Sequence, residues 1–235
     1  WFLFEVFCGM SACGQTVFVD FFDDGIPPVI WRQHGHGPDG AFHLADGIYA
    51  AQGPDPTKSE TMGLQATDFD LEVVSVQALA TIAVGRGNLA LKVRGSGEGF
   101  FLGYGASIDS AGRAFLFRFE GDPTKIPLVV LDTVGGLGFD STDVVHLQLN
   151  AVGDSLSFTV WPEGSDMPMT PTLQANDDVF ARGAVGFGFS QSTPNSQALF
   201  REFRAVSIPE PSTQRITSTV IVLLLWRRKR FSKPQ

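Results

Sequence analysis

Three carboxylates at every second position, Asp68, Asp70 and Glu72, form the sharpest chemical pattern in the chain. Phe69, Leu71 and Val73 alternate with them, so an extended strand would turn the apolar side chains to one face and the acids to the other. Two carboxyl groups about 5 to 5.5 Å apart can carry out retaining glycoside hydrolysis. Backbone positions 68 and 72 of a strand lie ~13 Å apart, so both side chains would have to lean together. The plainer reading is the solvent edge of a core strand. His34, His36 and His43 are spaced as a three-imidazole Zn2+ site that leaves one position open. Gly35, Gly37 and Gly40 surround them and no fourth ligand is evident, which favours polar loop histidines. His146 alternates with apolar neighbours and reads as structural.

Asp20, Asp23 and Asp24, close to Gly25, offer hard oxygen ligands for a structural Ca2+ ion, although no fixed-spacing calcium loop is present. Trp31, Tyr49, Tyr104 and Trp161 are amphipathic aromatics of the kind that stack on sugar rings, and core packing explains each of them as well. Trp161 stands before Pro162 at the end of an alternating run, which predicts a partly exposed ring. The glycines of residues 95–99 and 135–136 lack the strand–glycine–helix context and the lysine of a phosphate loop, and read as turns. No Ser-His-Asp or Cys-His arrangement has a recognisable signature.

The elements that must hold these residues are strands. The chain has 235 residues, 43% hydrophobic, with 21 Phe and 26 Gly. Long helix-forming runs are missing, and Gly-rich turns separate alternating Phe, Val and Leu. Strands are expected over residues 17–22, 68–73, 87–94, 100–108, 113–119, 126–131, 183–189 and 198–206, with hairpins around Asp46-Gly47 and between residues 144–149 and 156–161. Residues 31–40 and 53–59 read as loops, and 176–182 as a loop or short helical turn. About a dozen short strands with turn signals every 8 to 12 residues predict an all-β, two-sheet antiparallel sandwich or jelly roll.

Charge is unevenly placed. The formal net charge is −8, yet residues 208–235 hold six of the 17 basic residues and one acid, Glu210. With Glu5 also set aside, residues 15–207 carry 11 basic and 23 acidic residues, a net of −12. Such an acidic body excludes nucleic acid and anionic membrane as natural partners and suits neutral sugars, cations or basic surfaces.

The two ends differ from the body. The chain starts without Met, and Trp1-Phe2-Leu3-Phe4 followed by Ser11-Ala12-Cys13-Gly14 reads as a signal-peptide remnant over residues 1–14, with the mature chain starting at Gln15. A lipoprotein site at Cys13 is the second reading. Cys8 and Cys13 both fall in this segment, so the mature body would have no disulfide. At the other end Pro209 and Pro211 stop any strand. Residues 216–226 are apolar but cover only ~16 Å of a ~30 Å bilayer core. Arg227-Arg228-Lys229-Arg230 then form a cytoplasmic stop.

On Pro209-Glu210-Pro211, the apolar run and Arg227, Arg228, Lys229 and Arg230, residues 208–235 resemble the PEP-CTERM sorting tail of Gram-negative bacteria. The resemblance implies processing by an exosortase, a transient hold on the inner membrane through a short hydrophobic helix, and delivery to the cell surface or an exopolysaccharide biofilm matrix. Residues 15–207 resemble concanavalin A-like (laminin-G-like) jelly rolls through the strand at 68–73, the 87–94 strand, the pair around Asp109 to Gly112, Gly183-Ala184-Val185-Gly186 and Leu199-Phe200-Arg201-Glu202-Phe203. The favoured role is a non-catalytic one, glycan binding or a structural part of the matrix. Laminarinase-type glycoside hydrolases share this fold and carry Glu-x-Asp-x-Glu on a strand. That similarity implies Asp68 as nucleophile, Asp70 as helper and Glu72 as acid/base in an alternative enzyme reading. A protein–protein assembly module is the third.

Overall fold

Alternation of apolar and polar residues builds nearly every element of this protein. A computed structural model describes residues 15–22, 31–35, 42–45, 47–52, 61–95, 102–121 and 128–208. Among these residues there are fifteen strands: β1 (Gln15–Asp20), β2 (Trp31–Gly35), β3 (Phe42–Ala45), β4 (Ile48–Gln52), β5 (Thr61–Leu71), β6 (Val74–Val84), β7 (Gly87–Gly95), β8 (Leu102–Asp109), β9 (Ala114–Glu120), β10 (Leu128–Val134), β11 (Val145–Val152), β12 (Ser155–Pro162), β13 (Leu173–Asn176), β14 (Gly183–Gln191) and β15 (Gln197–Ser207). Residues Gln15–Ile208 form one compact unit. No helix of the described residues is long and apolar enough to cross a membrane.

The strands make two antiparallel sheets. One has eight strands, in the order β13-β12-β11-β6-β15-β4-β3 with β1 also paired to β15. The other has seven, in the order β10-β9-β8-β7-β14-β5-β2. This is the two-sheet jelly-roll sandwich that the strand pattern predicts. β15 is the spine of the larger sheet. One of its edges pairs with β6 throughout, and the other is shared between β4, at Gln197 to Phe200, and β1, at Phe203 to Ser207. The first and last strands of the unit therefore lie side by side, with Gln15 opposite Ser207.

Period-two patterning sends alternate residues into the space between the sheets. From β6 these are Val74, Val76, Ala78, Ala80 and Ile82, and from β7 Leu89, Leu91 and Val93, all buried. Aromatic rings fill the centre. Phe187 lies 4.6 Å from Phe200 and 5.3 Å from Phe203, while Trp31 meets Phe203 edge-on at 5.3 Å. Edge-on and tilted ring pairs of this kind add roughly 0.5 to 1.5 kcal/mol each beyond area burial.

Three expectations change. Residues 31–35 form an edge strand against β5, with Trp31 opposite Ala66 and Gly35 opposite Met62, where a loop is predicted. β6 is the central strand of its sheet, yet its inward Ala and outward Ser and Gln carry little strand propensity and give no sequence signal. β13, only four residues long, is equally silent. Residues 53–60 lie outside the described residues, as do 1–14 and 209–235, on which the expected signal-peptide remnant and the expected sorting tail with its hydrophobic helix fall.

Candidate functional site

The carboxylate pattern does not lie on one regular strand. β5 ends at Leu71, and Glu72 and Val73 form a bend that carries the chain across to β6 in the other sheet. Pairing with β14 is interrupted at the same place: Leu71 faces Gly183 and Ala66 faces Val185, so residues 67–70 stand opposite Ala184 alone. A bulge of that size re-aims side chains and removes the strict period of two. The exposed Asp70 carboxylate lies 2.7 Å from Arg182 Nε. The ladder Asp68, Asp70, Glu72 is thus a bulge and a crossover at the end of a strand, which corrects the expected single strand over 68–73.

The predicted aromatics fall into two groups. Trp31, Tyr49 and Tyr104 pack with the core between the sheets. Trp31 donates its indole N–H to Asp20 Oδ2 at 2.8 Å, and Tyr49 meets Phe22 edge-on at 4.7 Å. Tyr104 is fully buried, and its hydroxyl donates to Asp177 Oδ1 at 2.6 Å and accepts the Phe180 amide at 3.0 Å. Burial, with the Asp177 hydrogen bond next, pushes the Tyr104 phenol up to about 12. Tyr104 has no solvent face on which a sugar could stack, whereas Trp31 and Tyr49 are partly buried and pack against the core.

Asp20 is also turned inward. It is 2% exposed, and its second oxygen accepts the Phe22 amide at 2.9 Å. Its carboxylate holds a local turn in which Phe22 takes a left-handed φ of 59°. Among the described residues no group of three or more His, Cys, Asp or Glu could hold a metal ion. Asp20 is thus engaged by the Phe22 amide and the Trp31 indole, and its expected Ca2+ partners Asp23 and Asp24 lie outside the described residues. The His34 and His43 backbones belong to β2 and β3, at the outer edges of different sheets, and His36 lies outside the described residues.

Trp161 faces outward from the eight-stranded sheet, yet it is only 8% exposed, which corrects the expected partly exposed ring. It sits opposite His146 on β11, with the two rings stacked at 5.0 Å and 14°. Leu79 of β6 lies on the far side of His146. The rest of this face is polar and without charge. Outward from β6 come Ser75, Gln77 and Thr81; from β11, Gln148 and Asn150; from β12, Ser157 and Thr159. Charged residues begin only on the next strand, β15, with Glu202 opposite Leu79 and Arg204 opposite Gln77.

Hydrogen bonds fix the amides in place. Gln148 Nε2 donates to Ser75 Oγ and to Asn150 Oδ1, each at 3.0 Å, and Asn150 Nδ2 donates to Ser157 Oγ at 3.2 Å. Gln148 Oε1 is left as an acceptor. The half-buried Gln77 amide makes no hydrogen bond among the described residues. Oriented amides beside an apolar row can donate to and accept from hydroxyl groups while a ring or side chain covers C–H surface. The signal that finds this face in a sequence is an absence, the lack of Lys, Arg, Asp and Glu at alternate positions of three strands.

The outer face of the seven-stranded sheet has another character. Phe117 lies over Gly105, where an added Cβ would come within 2.2 Å of its ring, and packs edge-on against Phe119 at 4.8 Å. In the same row Lys92 is fully buried, its ammonium 3.0 Å from Gln65 Oε1, and burial holds its pKa well below the usual lysine range. Lys92, Gln65 and Ser107 in the middle of this face are closed off from solvent, whereas Arg32 and Thr133 towards its edges are exposed.

One end of the sandwich is tied by Arg94, which is 1% exposed and has a left-handed φ of 52°. Its Nε donates to the Glu72 carbonyl at 2.9 Å, and Nη1 donates to the carbonyls of Gly153 at 2.7 Å and Phe180 at 3.2 Å. Gly153 lies in the two-residue β11–β12 turn, where its φ of 59° suits glycine. The Asp177 amide holds the same turn through the Asp154 carbonyl at 2.8 Å. Arg94 thereby fixes the hairpin that carries Gln148, Asn150, Ser157 and Trp161.

No protein-family model matches the sequence, and no match is found among curated proteins. Solved structures do resemble it. A carbohydrate binding module, CBM66 from Bacillus subtilis, matches with a TM-score of 0.57 and 19% identity over 76% of this chain and 96% of its own. The exoplasmic/lumenal domain of VIP36 in a Ca2+/Man2-bound form matches with a TM-score of 0.57 and 10% identity, over 86% of this chain and 91% of its own. LamAcat from Zobellia galactanivorans matches with a TM-score of 0.54 and 10% identity, over 82% and 98%. The fold is therefore a lectin-like and carbohydrate-module-like jelly roll.

Proposed function

We propose that this protein is a non-catalytic glycan-binding domain whose site is the outer face of β12, β11 and β6. The observation that carries this reading is the charge-free array of Gln77, Gln148 and Asn150, the last two oriented by their own hydrogen bonds, bordered by the stacked His146–Trp161 pair. Amides match hydroxyls in offering both a donor and an acceptor. Oriented side chains lose little entropy on binding. The carbohydrate-binding module and the mannose-bound VIP36 domain lend support as proteins of the same fold. A hydrolase on Asp68, Asp70 and Glu72 draws no support from a bulge and crossover with Asp70 beside Arg182. No role is assigned to Ca2+.

The test is binding of the full chain to soluble neutral polysaccharides by affinity electrophoresis. Retardation is expected for at least one neutral polymer and should weaken about tenfold in Gln148→Ala, a loss of roughly 1.4 kcal/mol. Failure to bind every neutral polymer in the panel would overturn the reading. Export is part of the same proposal. The resemblance of Pro209-Glu210-Pro211 and Arg227 to Arg230 to a sorting signal supports processing by an exosortase-type enzyme and delivery to the cell surface or matrix. Deleting the chain from Pro209 onward should release the domain from the surface, and unchanged retention would count against that assignment.

A further inference from the structure

Resting on that reading of the face, its spacing also constrains the ligand. Outward side chains fall into rows that run across the strands. One polar row is Thr159, Gln148, Gln77; a second is Ser157, Asn150, Ser75; and an apolar row, Trp161, His146, Leu79, flanks the first. Neighbouring strands stand ~4.8 Å apart, close to the advance of one sugar in an extended chain. Along a strand, successive outward residues are ~7 Å apart, which fits no sugar repeat of that kind. Contacts therefore recur at the sugar interval only across the strands.

Charge limits the ligand further. The three strands present no ionic group on this face, and the body around it is acidic, so a polyanion would meet one flanking cation, Arg204 on β15, against net repulsion. β15 closes one side with Glu202 and Arg204. We propose that the face takes an extended, uncharged β-1,4-linked glycan chain laid across β12, β11 and β6, one sugar over each strand. The open Gln77 amide and the Gln148 Oε1 acceptor meet hydroxyls of adjacent sugars, and the partly exposed His146 and Leu79 of the apolar row lie along one edge of the chain, with Trp161 buried behind His146.

The experiment is calorimetric titration of the full chain with uncharged β-1,4-linked glucose and mannose oligomers of increasing length, beside galacturonate oligomers as charged counterparts. Affinity is expected to rise about fivefold per sugar up to three sugars, and by less than about twofold per sugar beyond, one hydrogen bond being worth about 1 kcal/mol. Gln77→Ala should lower trisaccharide affinity about fivefold and flatten the length series without moving the thermal midpoint, because that amide bonds to nothing in the described fold. Length-independent binding that still needs Gln148 overturns the across-strand arrangement while sparing the site. Tighter binding of galacturonate oligomers overturns the uncharged class. If neither the oligomers nor any neutral polymer bind, the site itself is refuted.

Discussion

Arg94→Ala should cost about 3 to 5 kcal/mol of folding stability, because three carbonyls lose their charge-assisted hydrogen bonds and are left unpaired. The side chain donates three bonds at 2.7, 2.9 and 3.2 Å to carbonyls of three separate segments. Each charge-assisted bond is worth about 1.5 to 3 kcal/mol, and the three share one guanidinium, so their sum overstates the loss. For a domain of this size 1 kcal/mol moves the midpoint by about 2 to 4 °C, giving a fall of about 6 to 20 °C by circular dichroism. Glycine offers an internal control. It normally weakens a strand by about 0.5 to 1 kcal/mol relative to alanine. At a φ of 52° alanine retains about 1 to 2 kcal/mol of left-handed strain that glycine relieves. Arg94→Gly should therefore be no less stable than Arg94→Ala. Arg94→Lys keeps the cation but not the planar fork, and should fall between alanine and the parent. Because one bond ends in the β11–β12 turn, amide exchange in that hairpin should accelerate and glycan affinity should drop. An alanine variant within about 1 kcal/mol of the parent at unchanged urea m-value would refute the assignment.

Two pH responses follow from the buried polar groups. Burial alone would raise the Asp177 carboxyl, but the Tyr104 hydroxyl, the Val179 amide and the Arg118 guanidinium outweigh it and hold its pKa below the ordinary value. That contribution is complete above about pH 4, the unfolded carboxylate value, and is lost as pH falls through the folded one, so Tyr104→Phe should lessen acid sensitivity measured by urea midpoints below pH 4. At alkaline pH, Tyr104 and Lys92 act in opposite senses. Tyr104 keeps its proton up to about 12, so stability it supplies below about pH 10 is lost as pH climbs through that value. Lys92, lowered by burial, sheds its proton in the fold first, so stability rises between its folded pKa and about 10.4. Lys92→Met should abolish that rise and be near neutral at pH 10; a strong loss there would show that the amine is needed in its neutral form.

The sandwich was legible because most strands obey a period of two, as in β11 and β12, whose inward Leu147, Leu149, Leu156 and Phe158 alternate with polar residues. β6 was not, because small residues on both faces leave hydrophobic contrast too low to read. The site was legible only through Trp161. Its partner His146 has the alternation of a structural residue, and nothing local in the sequence says that β11 lies between β12 and β6. That order is a product of chain crossing, and the row Trp161, His146, Leu79 exists only once strands distant in sequence are neighbours. The strand expected over 68–73 ends early for a related reason: a local period says which face residues share only while the strand stays regular, and the pairing slip opposite Ala184 ends that regularity.

The separation of charge from the proposed site is itself a physical argument about the ligand. An outer sheet face gains solubility from Lys and Glu and loses little by carrying them. In a body with 23 acidic residues, three adjacent strands that place none on their outward rows forgo that gain. An uncharged amide array is easier to desolvate than a charged one, since removing an ion from water costs far more than removing an amide. A neutral chain can then settle on the face without leaving a charge unpaired. The Arg94 bond to the β11–β12 turn supplies the remaining requirement, a rigid hairpin, so that the rows keep their spacing before the ligand arrives. Stability at the end of the sandwich and the proposed recognition on its face would in this way rest on the same two strands.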